Sequence, residues 1–456
     1  MKPGIVMKFG GTSVGTPEAM LQTARIIVSE QERKPLVVIS ALGGVTNLLT
    51  EIAEVARKGE EYQLRLKEIL ERHTRIVKVH ELDAALLEPF ETELRRLLSG
   101  IEMLRELSPR TKDALLSLGE RASVQLLAAL LCKLGYRSRS MRSWDLGLFT
   151  DTRHNKAALA PETAMTLVTG LDQLEDGIIP IVTGFIGQSL DGEITTLGRG
   201  GSDFSAAVFG AAAEVEEIQI WTDVPGFLRA DPRVVKEPKV VPVMHFDEAA
   251  ELAFFGAKVL HPRTIEPARK KGIPVRVLGT FAVDTTVERE HWHKGTLINA
   301  KSPNESIRAI AIREKVQTLH IHSLRMLDAP GFLSKVFGVL GKHQISVDVV
   351  ATSEVSVSMT FDRPEENLEL AIGELSEFAK VEFTDNRGLL CVVGEGLRKD
   401  PTFLSRIFGV LSENDIPVHV ISQGASRINI TLVTDNESTR KAMEVLHHEF
   451  FAKVGK

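Results

Sequence analysis

Ile5 to Gly15 reads IVMKFGGTSVG: a short apolar run with one lysine, a pair of glycines, then Thr12 and Ser13. A run of this length, closed by glycines and followed by a helical pattern over Glu18–Ser29, predicts a buried strand, Ile5–Phe9, that feeds a helix through a tight turn. Glycines allow backbone N–H groups to approach an anion closely at such a turn. The turn is not a P-loop, which carries its lysine after the glycines. Here Lys8 stands before them, at the end of the strand and the mouth of the turn.

The same grammar recurs outward. Leu36–Ser40, Ile178–Thr183, Ile218–Thr222 and Val275–Leu278 are apolar runs bounded by turn signals, with helical patterns between them. Strands apolar along their whole length are expected where helices cover both faces, so the first two-thirds of the chain predicts an α/β fold on a largely parallel sheet. From about Glu51 to Leu134 the chain makes a helical excursion from that sheet. There LRLKEILER (Leu64–Arg72) shows the 3.6-residue period, and Pro89 and Pro109 punctuate the helices.

After Asn299 the chain repeats itself at an offset of 71 residues. FLSKVFGVLGKHQISVDVV (Phe332–Val350) lies over FLSRIFGVLSENDIPVHVI (Phe403–Ile421), with ten of nineteen positions identical. Each copy carries a helix with an apolar stripe (Leu333, Val336, Phe337 and Leu340 in the first) and then a short strand. A strand precedes each helix (Leu319–His322, Leu389–Val393) and another follows (Val355–Phe361, Arg427–Val433), with a last helix over Glu437–Phe450. Two repeats are too few for a solenoid, so they predict two small modules with a shared sheet.

Composition narrows the classes. The 456 residues are 43% hydrophobic and 25% charged with a formal net charge of −6, which describes an ordinary globular protein with a large core. No basic block interleaves with aromatics, so no nucleic-acid partner is expected. The run Arg269, Lys270, Lys271 before Gly272 reads as a helix end, where cations suit the dipole. Cys132 and Cys391 stand in apolar runs and are expected as buried free thiols in a reducing compartment. No basic-then-apolar leader is read at the start and no apolar stretch is read as membrane-spanning, so the expectation is a cytoplasmic protein without a membrane partner. His291, Trp292 and His293 offer two imidazoles but no companion cysteine or carboxylate cluster. They read as surface histidines around a packed tryptophan, and no metal site is expected.

TLGRGGSDFSAA (Thr196–Ala207) is a second glycine-rich turn opening a helix. A helix N-terminus favours an anionic ligand. One such turn is weak evidence, because most glycine pairs are only turns; two, each between strand and helix, are much stronger. In IWTDVPGFLRADPRV (Ile220–Val234) a strand ends at Thr222 and Asp223 before Pro225 and Gly226 turn the chain. Ligands of open α/β sheets gather at such carboxyl ends, although an aspartate there also serves as a turn cap. FFGAKVLHPRT (Phe254–Thr264) sets Lys258 in a helical pattern, a place that a solvated lysine also fills.

KFGGTSVG, SLGERAS, GFIG, TLGRGGSD, WTDVPG and FGAKVLHP, in this order, resemble the aspartate kinases of the amino-acid-kinase superfamily. The repeated tail resembles paired ACT modules, the small ferredoxin-like (βαββαβ) amino-acid sensors, and the resemblance covers essentially the whole chain. It implies a catalytic domain over residues 1–298 with the excursion at about 51–134, and a regulatory region over 299–456. The first module would span about 316–386 and the second about 387–456 plus a strand at 307–312, interleaved so that neither folds alone. The implied reaction is ATP- and Mg2+-dependent phosphorylation of the side-chain carboxylate of L-aspartate to 4-phospho-L-aspartate, the entry to lysine (diaminopimelate), threonine and methionine biosynthesis. A carboxylate nucleophile is ionised at neutral pH and needs no general base. Its obstacle is attack by an anion on a polyanion, which calls for cations and N–H dipoles around the transferred group.

Carried over residue by residue, the resemblance makes Lys8 and Asp203 the catalytic pair. Lys8 meets the γ-phosphoryl oxygens, the N–H groups of Gly10 and Gly11 face the same oxygens, and Asp203 positions Lys8 without removing a proton. Arg199 would grip the α-carboxylate bidentately and Glu120 would take the α-ammonium. Ser40, Thr46, Phe185 and Ser202 complete the implied aspartate contacts. Thr222, Asp223, Arg233 and Lys258 are the implied ATP contacts, shared with Lys8, Gly10 and Gly11. Where these enzymes often carry a tyrosine two residues after the glycine of the WTDVPG turn, this chain has Leu228. In the first module Met326, Gly331, Phe332, Leu333, Ser346, Val347, Asp348, Thr352, Ser353 and Glu354 match positions that bind L-lysine as a feedback inhibitor, with Asp348 and Glu354 supplying carboxylates. The second module has Pro417 and His419 where the first has Ser346 and Asp348, and is expected to keep only its packing role. The resemblance also implies a homodimer or higher homo-oligomer through the ACT modules. A chain that ends after the repeat implies a monofunctional enzyme. The alternatives are another amino-acid kinase, for glutamate or acetylglutamate, and an ACT-based sensor with an inactive kinase domain. Glu120, Arg199 and the SEVSVS stretch speak against the first, and the joint presence of Lys8 and Asp203 against the second.

Overall fold

The computed structural model of the chain describes residues 2–255, 260, 262–287, 292, 294–301, 307–327, 330–361 and 367–452. From Ile5 the chain runs through β1 (Ile5–Phe9), α1 (Gly11–Val14), α2 (Pro17–Ser29), β2 (Pro35–Ile39), α3 (Val45–Lys58), α4 (Gln63–Val79), α5 (Glu88–Leu104) and α6 (Pro109–Lys133). Then follow β3 (Ser138–Met141), β4 (Phe149–Thr150), α7 (Thr163–Asp172), β5 (Ile179–Thr183), β6 (Ile186–Ser189), β7 (Ile194–Thr196), α8 (Gly201–Ala213) and β8 (Glu217–Thr222). The segment closes with β9 (Val243–His245), α9 (Phe246–Phe254), α10 (Glu266–Lys271), β10 (Val275–Gly279) and β11 (Thr296–Asn299).

Among the described residues the main sheet has eight strands in the order β3-β5-β2-β1-β8-β10-β11-β9. β3, β5, β2, β1, β8 and β10 all run parallel, and only the β10–β11 pairing is antiparallel. β1 and β2 are buried at every position, as strands must be that carry helices on both faces. Parallel running brings Phe9, Ile39, Thr183, Thr222 and Gly279 to one end of the sheet, the end where loops gather ligands in open α/β folds. A small second sheet, β4-β6-β7, leads into the second glycine turn.

The excursion is α3 to α6, with prolines in the first turns of α5 and α6, where a missing N–H costs nothing. Its last helix corrects the reading that no stretch is long and apolar enough to span a membrane. α6 has 25 residues and a mean hydropathy of 1.4 over its most apolar window, but 78% of that window is buried inside the protein. It is a core helix that carries Asp113 and Glu120 on buried positions. Cys391 is buried as expected, whereas Cys132 is exposed, because the last turn of α6 leaves the core. Trp292 packs edge-on against Trp221, with ring centroids 6.3 Å apart; His291 and His293 lie outside the described residues. No metal-ligand cluster of three or more His, Cys, Asp or Glu occurs among the described residues.

The tail comprises β12 (Ala309–His322), α11 (Phe332–Lys342), β13 (Val350–Thr352), β14 (Ser356–Phe361), α12 (Leu368–Ser376) and β15 (Lys380–Val393). It continues with α13 (Gly396–Lys399), α14 (Thr402–Glu413), β16 (Val418–Ser422), β17 (Asn429–Asp435) and α15 (Thr439–His447). Its strands form one antiparallel sheet, β13-β14-β12-β15-β17-β16. β12 and β15 are 14-residue strands paired along their length, with register shifts between Arg313 and Thr318. Ala309–Arg313 therefore pairs with Leu389–Val393, while Thr318–His322 pairs with Lys380–Thr384 and with β14. The short strand read at 307–312 is the first part of β12, continuous with the strand read at Leu319–His322. Two apolar clusters result, one around Val336, Leu340, Met359 and Phe361, the other around Ile407, Leu411, Leu432 and Met443.

A single cut near residue 298 needs correction. The chain divides into two units after Lys301, and Leu228–Val241 and residues 247–255 group with the tail. The physical reason is local bonding. Ile310 N–H donates to Arg229 O (2.8 Å), Arg308 pairs with the buried Glu248 (3.2 Å), and Asn429 donates to Glu251 (2.8 Å). Most of α9 thus belongs to the second unit although its sequence lies before residue 298.

Candidate active site

One open pocket lies at the carboxyl ends of β1, β2 and β5. Lys8 comes from β1, Ser40 from just after β2, Thr46 and Thr50 from α3, and Phe185 from just after β5. α6 contributes Lys112, Leu116 and Glu120, spaced four residues apart and so on one helical face. Thr196, the turn from Gly198 to Gly201, and Ser202 and Asp203 of α8 close it, with Asn155 beside them.

The geometry explains the residue types. Gly200 caps α8 at φ +74°, and Gly198 has φ +76°, conformations that suit glycine. Phe185 holds a left-handed backbone at φ +67°, uncommon for a bulky residue, and its ring lies 2.9 Å from where a Cβ on Gly201 would sit. Ser40 Oγ donates to Ser202 Oγ at 2.8 Å, tying the loop after β2 to α8. Lys8 is only 9% exposed, and its Nζ lies 2.6 Å from Asp203 Oδ1 in the first turn of α8. Two opposite charges so close and so shielded from water hold each other in place.

The paired glycines behave differently from one another. Gly10 N–H donates to Trp221 O at 3.2 Å and continues the β1–β8 ladder, so it does not face a ligand; this corrects its sequence-based role. Gly11 opens α1, where an N–H has no intrahelical acceptor. A Cβ on Gly11 would meet Ala41 O at 2.8 Å, so close backbone approach alone demands glycine there.

Glu120 is the electrostatic anomaly of the pocket. It is 2% exposed; Oε1 accepts from Ala41 N–H at 3.1 Å, while Oε2 is buried with no hydrogen-bond partner among the described residues. Burial pushes its carboxyl up to about 8. A buried acceptor left over in a pocket is a place for a donor, and a cationic donor would restore the ionised form. Across the pocket Arg199 is exposed and makes no ion pair with a described residue.

Thr222 and Asp223 end β8, beside β1, with Thr222 Oγ1 donating to Asp223 Oδ1 at 3.1 Å. They do not line the pocket. Arg233 belongs to the second unit, where its exposed guanidinium forks onto Asp231 at 3.0 Å through Nε. Lys258 lies outside the described residues.

In the tail the effector positions collect around the N-terminus of α11 and the edge strand β13. Gly331 caps α11 at φ +88°, Phe332 packs edge-on against Phe378, and Met326 and Val347 join the same apolar cluster. Leu333 is exposed on α11 and Ser346 on the stretch that follows it. Thr352 ends β13, and Ser353 Oγ meets Ser356 Oγ at 2.7 Å in the turn that carries the exposed Glu354. Asp348 is not an open carboxylate, because Arg313 Nη1 lies 3.2 Å from its Oδ2. The same Arg313 also donates to Phe254 O on α9, at 2.5 Å. At the matching place in the second module, His419 Nε2 meets Asp435 at 2.9 Å and Arg387 at 2.8 Å.

Thr50, Lys112, Leu116, Asn155 and Thr196 were missed from sequence. The spacing of Lys112, Leu116 and Glu120 on one predicted helix was a usable signal for the first two. Asn155 had none, since nothing in a polar loop announces which cavity it reaches.

Residues 3–279 match the amino acid kinase family, and residues 390–450 match the ACT domain. Aspartokinase 1, chloroplastic, of Arabidopsis thaliana is 38% identical, over 98% of this chain and 80% of its own length. Lysine-sensitive aspartokinase 3 of Escherichia coli (strain K12) is 36% identical, over 98% of this chain and 99% of its own. The crystal structure of E. coli aspartokinase III in complex with aspartate and ADP (R-state) is similar at a TM-score of 0.79 and 34% identity, covering 98% of this chain and 99% of that one.

Proposed function

The chain belongs to the amino acid kinase family and, within it, to the aspartokinases, and from that premise we propose that it transfers the γ-phosphoryl group of ATP to the side-chain carboxylate of L-aspartate. The observation that carries this reading is a pocket that holds the Lys8–Asp203 pair together with a Glu120 oxygen and an Arg199 guanidinium that have no partner among the described residues. Those are the complements of an α-ammonium, a carboxylate and a transferring phosphoryl group. The test is ADP release from ATP with L-aspartate, L-glutamate or N-acetyl-L-glutamate as acceptor. Aspartate should support turnover, and preference for either alternative acceptor would overturn the reading.

In this reading Lys8 stabilises the negative charge that builds on the phosphoryl oxygens, and Asp203 fixes the ammonium's position. The N–H of Gly11 contributes a dipole; that of Gly10 does not. Thr222 and Asp223 serve the nucleotide from the neighbouring strand. A Mg2+ ion arriving with the nucleotide would neutralise part of the phosphate charge. Arg199 grips the α-carboxylate and Glu120 the α-ammonium, with Ser40, Thr46, Phe185 and Ser202 shaping the cavity between.

Glu120 yields a proton-count prediction. Its carboxyl, pushed up to about 8 by burial, is protonated at pH 7 until an ammonium arrives. Aspartate binding at pH 7 should therefore release roughly 0.5–1 proton. Calorimetric titrations in buffers of different ionisation enthalpy measure it, and Glu120→Gln should remove it. Binding by the unaltered chain without proton release would reassign Glu120.

Regulation follows from the first module. L-Lysine binds at Met326, Gly331, Phe332, Leu333, Ser346, Val347, Asp348, Thr352, Ser353 and Glu354, and competes with Arg313 for Asp348. Inhibition requires that lysine favour a less active state, so saturating ATP and aspartate should weaken lysine binding in turn. Glu354→Ala should move half-inhibition to about tenfold higher lysine or more, the scale of one lost charge-assisted contact. Activity without lysine should be unchanged. His419→Ala in the second module is the control. Abolished inhibition there, with Glu354→Ala intact, would move the sensor to the second module. The modules also mediate a homodimer or higher homo-oligomer, and the enzyme works in the cytoplasm, where free thiols such as Cys132 persist.

A further inference from the structure

We infer that Asp113 is a positioning residue for the amino-acid half of the pocket. This rests on the reading of that pocket as the aspartate site. Asp113 is 0% exposed, lies on α6 next to Lys112, and is not itself among the residues lining this pocket. Its carboxylate nevertheless joins three separate segments that do line the pocket. Oδ2 accepts from the backbone N–H groups of Asn155 (3.0 Å) and Thr196 (3.1 Å) and faces His154 Nδ1 (3.0 Å). Oδ1 accepts from Thr196 Oγ1 at 2.7 Å.

Each of these bonds fixes something the substrate would feel. Asn155 holds a left-handed backbone at φ +67°, and its carbonyl lies 3.1 Å from where a Cβ on Gly198 would be. The loop therefore presses on the glycine turn that presents Arg199. Thr196 is the last residue of β7, three before Arg199. Glu120 lies two helical turns beyond Asp113 on α6. One buried carboxylate thus sets the spacing between the groups assigned to the α-carboxylate and the α-ammonium. Outward, His154 Nε2 meets Glu193 Oε2 at 3.3 Å and Glu193 pairs with Arg110 at 2.9 Å, which anchors the cluster at the surface. Buried donors left without an acceptor are costly, and this one carboxyl group serves several of them.

The experiment compares Asp113→Ala and Asp113→Asn in the full chain, reading KM for each substrate, kcat and Tm. Asp113→Ala should raise KM for aspartate by about 20-fold or more, because a shift near 1 Å in substrate-positioning groups has effects of up to about 10². KM for ATP should stay within about threefold, since no partner of Asp113 belongs to β1 or β8. Asn keeps one acceptor oxygen for the backbone N–H groups and can donate to Thr196 Oγ1, so Asp113→Asn should recover most of that loss. If the alanine variant does not fold, Asp113→Asn alone decides, with KM for aspartate up by about 3–10-fold and KM for ATP unchanged. Equal rises in both KM values, or no rise in either, in folded Asp113→Asn would overturn the positioning role. That failure is distinct from failure of the reading beneath it, which would show as absent aspartate turnover in the unaltered enzyme and would remove this inference as well.

Discussion

Lys8→Ala is expected to lower kcat by about 10²–10⁴-fold, the range for removing a preorganised electrostatic contact to a reacting group. The upper half of that range is the more natural outcome. Lys8 Nζ lies 2.6 Å from Asp203 Oδ1, and both side chains are largely shielded from solvent. Removing the ammonium takes away a positive charge and would also leave the Asp203 carboxylate uncompensated beside the phosphates. Two unfavourable changes then act on the same transition state. KM for aspartate should change little, because the amino-acid groups are assigned to Glu120 and Arg199 and not to Lys8. A thermal melt guards against the alternative that an unpaired buried carboxylate has unfolded the domain. Asp203→Asn keeps Lys8 charged but loosens its placement, and should cost less than Lys8→Ala. Near-normal turnover in folded Lys8→Ala would remove Lys8 from the chemistry.

Arg199→Ala should lower kcat/KM for aspartate by about 2–4 kcal/mol, or roughly 30–10³-fold, through loss of a bidentate grip on a carboxylate. The structure makes this a clean substitution. Arg199 is exposed on the glycine turn and makes no ion pair with a described residue, so truncating it orphans no described ion-pair partner. Tm should therefore hold and KM for ATP should move little. The drop should fall mainly on KM, with kcat affected only as far as the anchor orients the β-carboxylate for attack. Arg199→Lys keeps the charge without the planar fork and should recover only part of the loss. Equal losses for both substrates would mean that the pocket is assigned to the wrong ligand.

The catalytic sheet was legible because its central strands are apolar at every position: β1, β2, β5, β8 and β10 announce themselves as short hydrophobic runs between turns. β3, with sequence SRSM, was not, since an edge strand carries polar residues and borrows its pairing from β5 alone. The three-residue β9 and the short β4-β6-β7 sheet lack enough sequence to show a period. Most of α9 grouped with the regulatory unit for a reason no window of sequence contains, because Glu248, Glu251 and Phe254 find partners at Arg308, Asn429 and Arg313. The same limit applies to the site. Lys8, Glu120, Arg199 and Asp203 were singled out from motifs and do meet in one pocket. Gly10 was given an N–H that the sheet uses. Asp113 was passed over because an aspartate on an amphipathic helix reads as a surface charge until the loops that cover it are in place. Asp348 looked open from sequence because its counter-ion lies 35 positions away on another strand.

The central claim is that this pocket directs a phosphoryl group onto the side-chain carboxylate of aspartate. The most direct measurement is trapping of the product with hydroxylamine during turnover of ATP and L-aspartate by the full chain. The account predicts aspartate β-hydroxamate formed one-for-one with ADP, lost in Lys8→Ala and restored toward normal only at high aspartate in Arg199→Ala. ADP released without hydroxamate, or hydroxamate formed from glutamate in preference to aspartate, would contradict it.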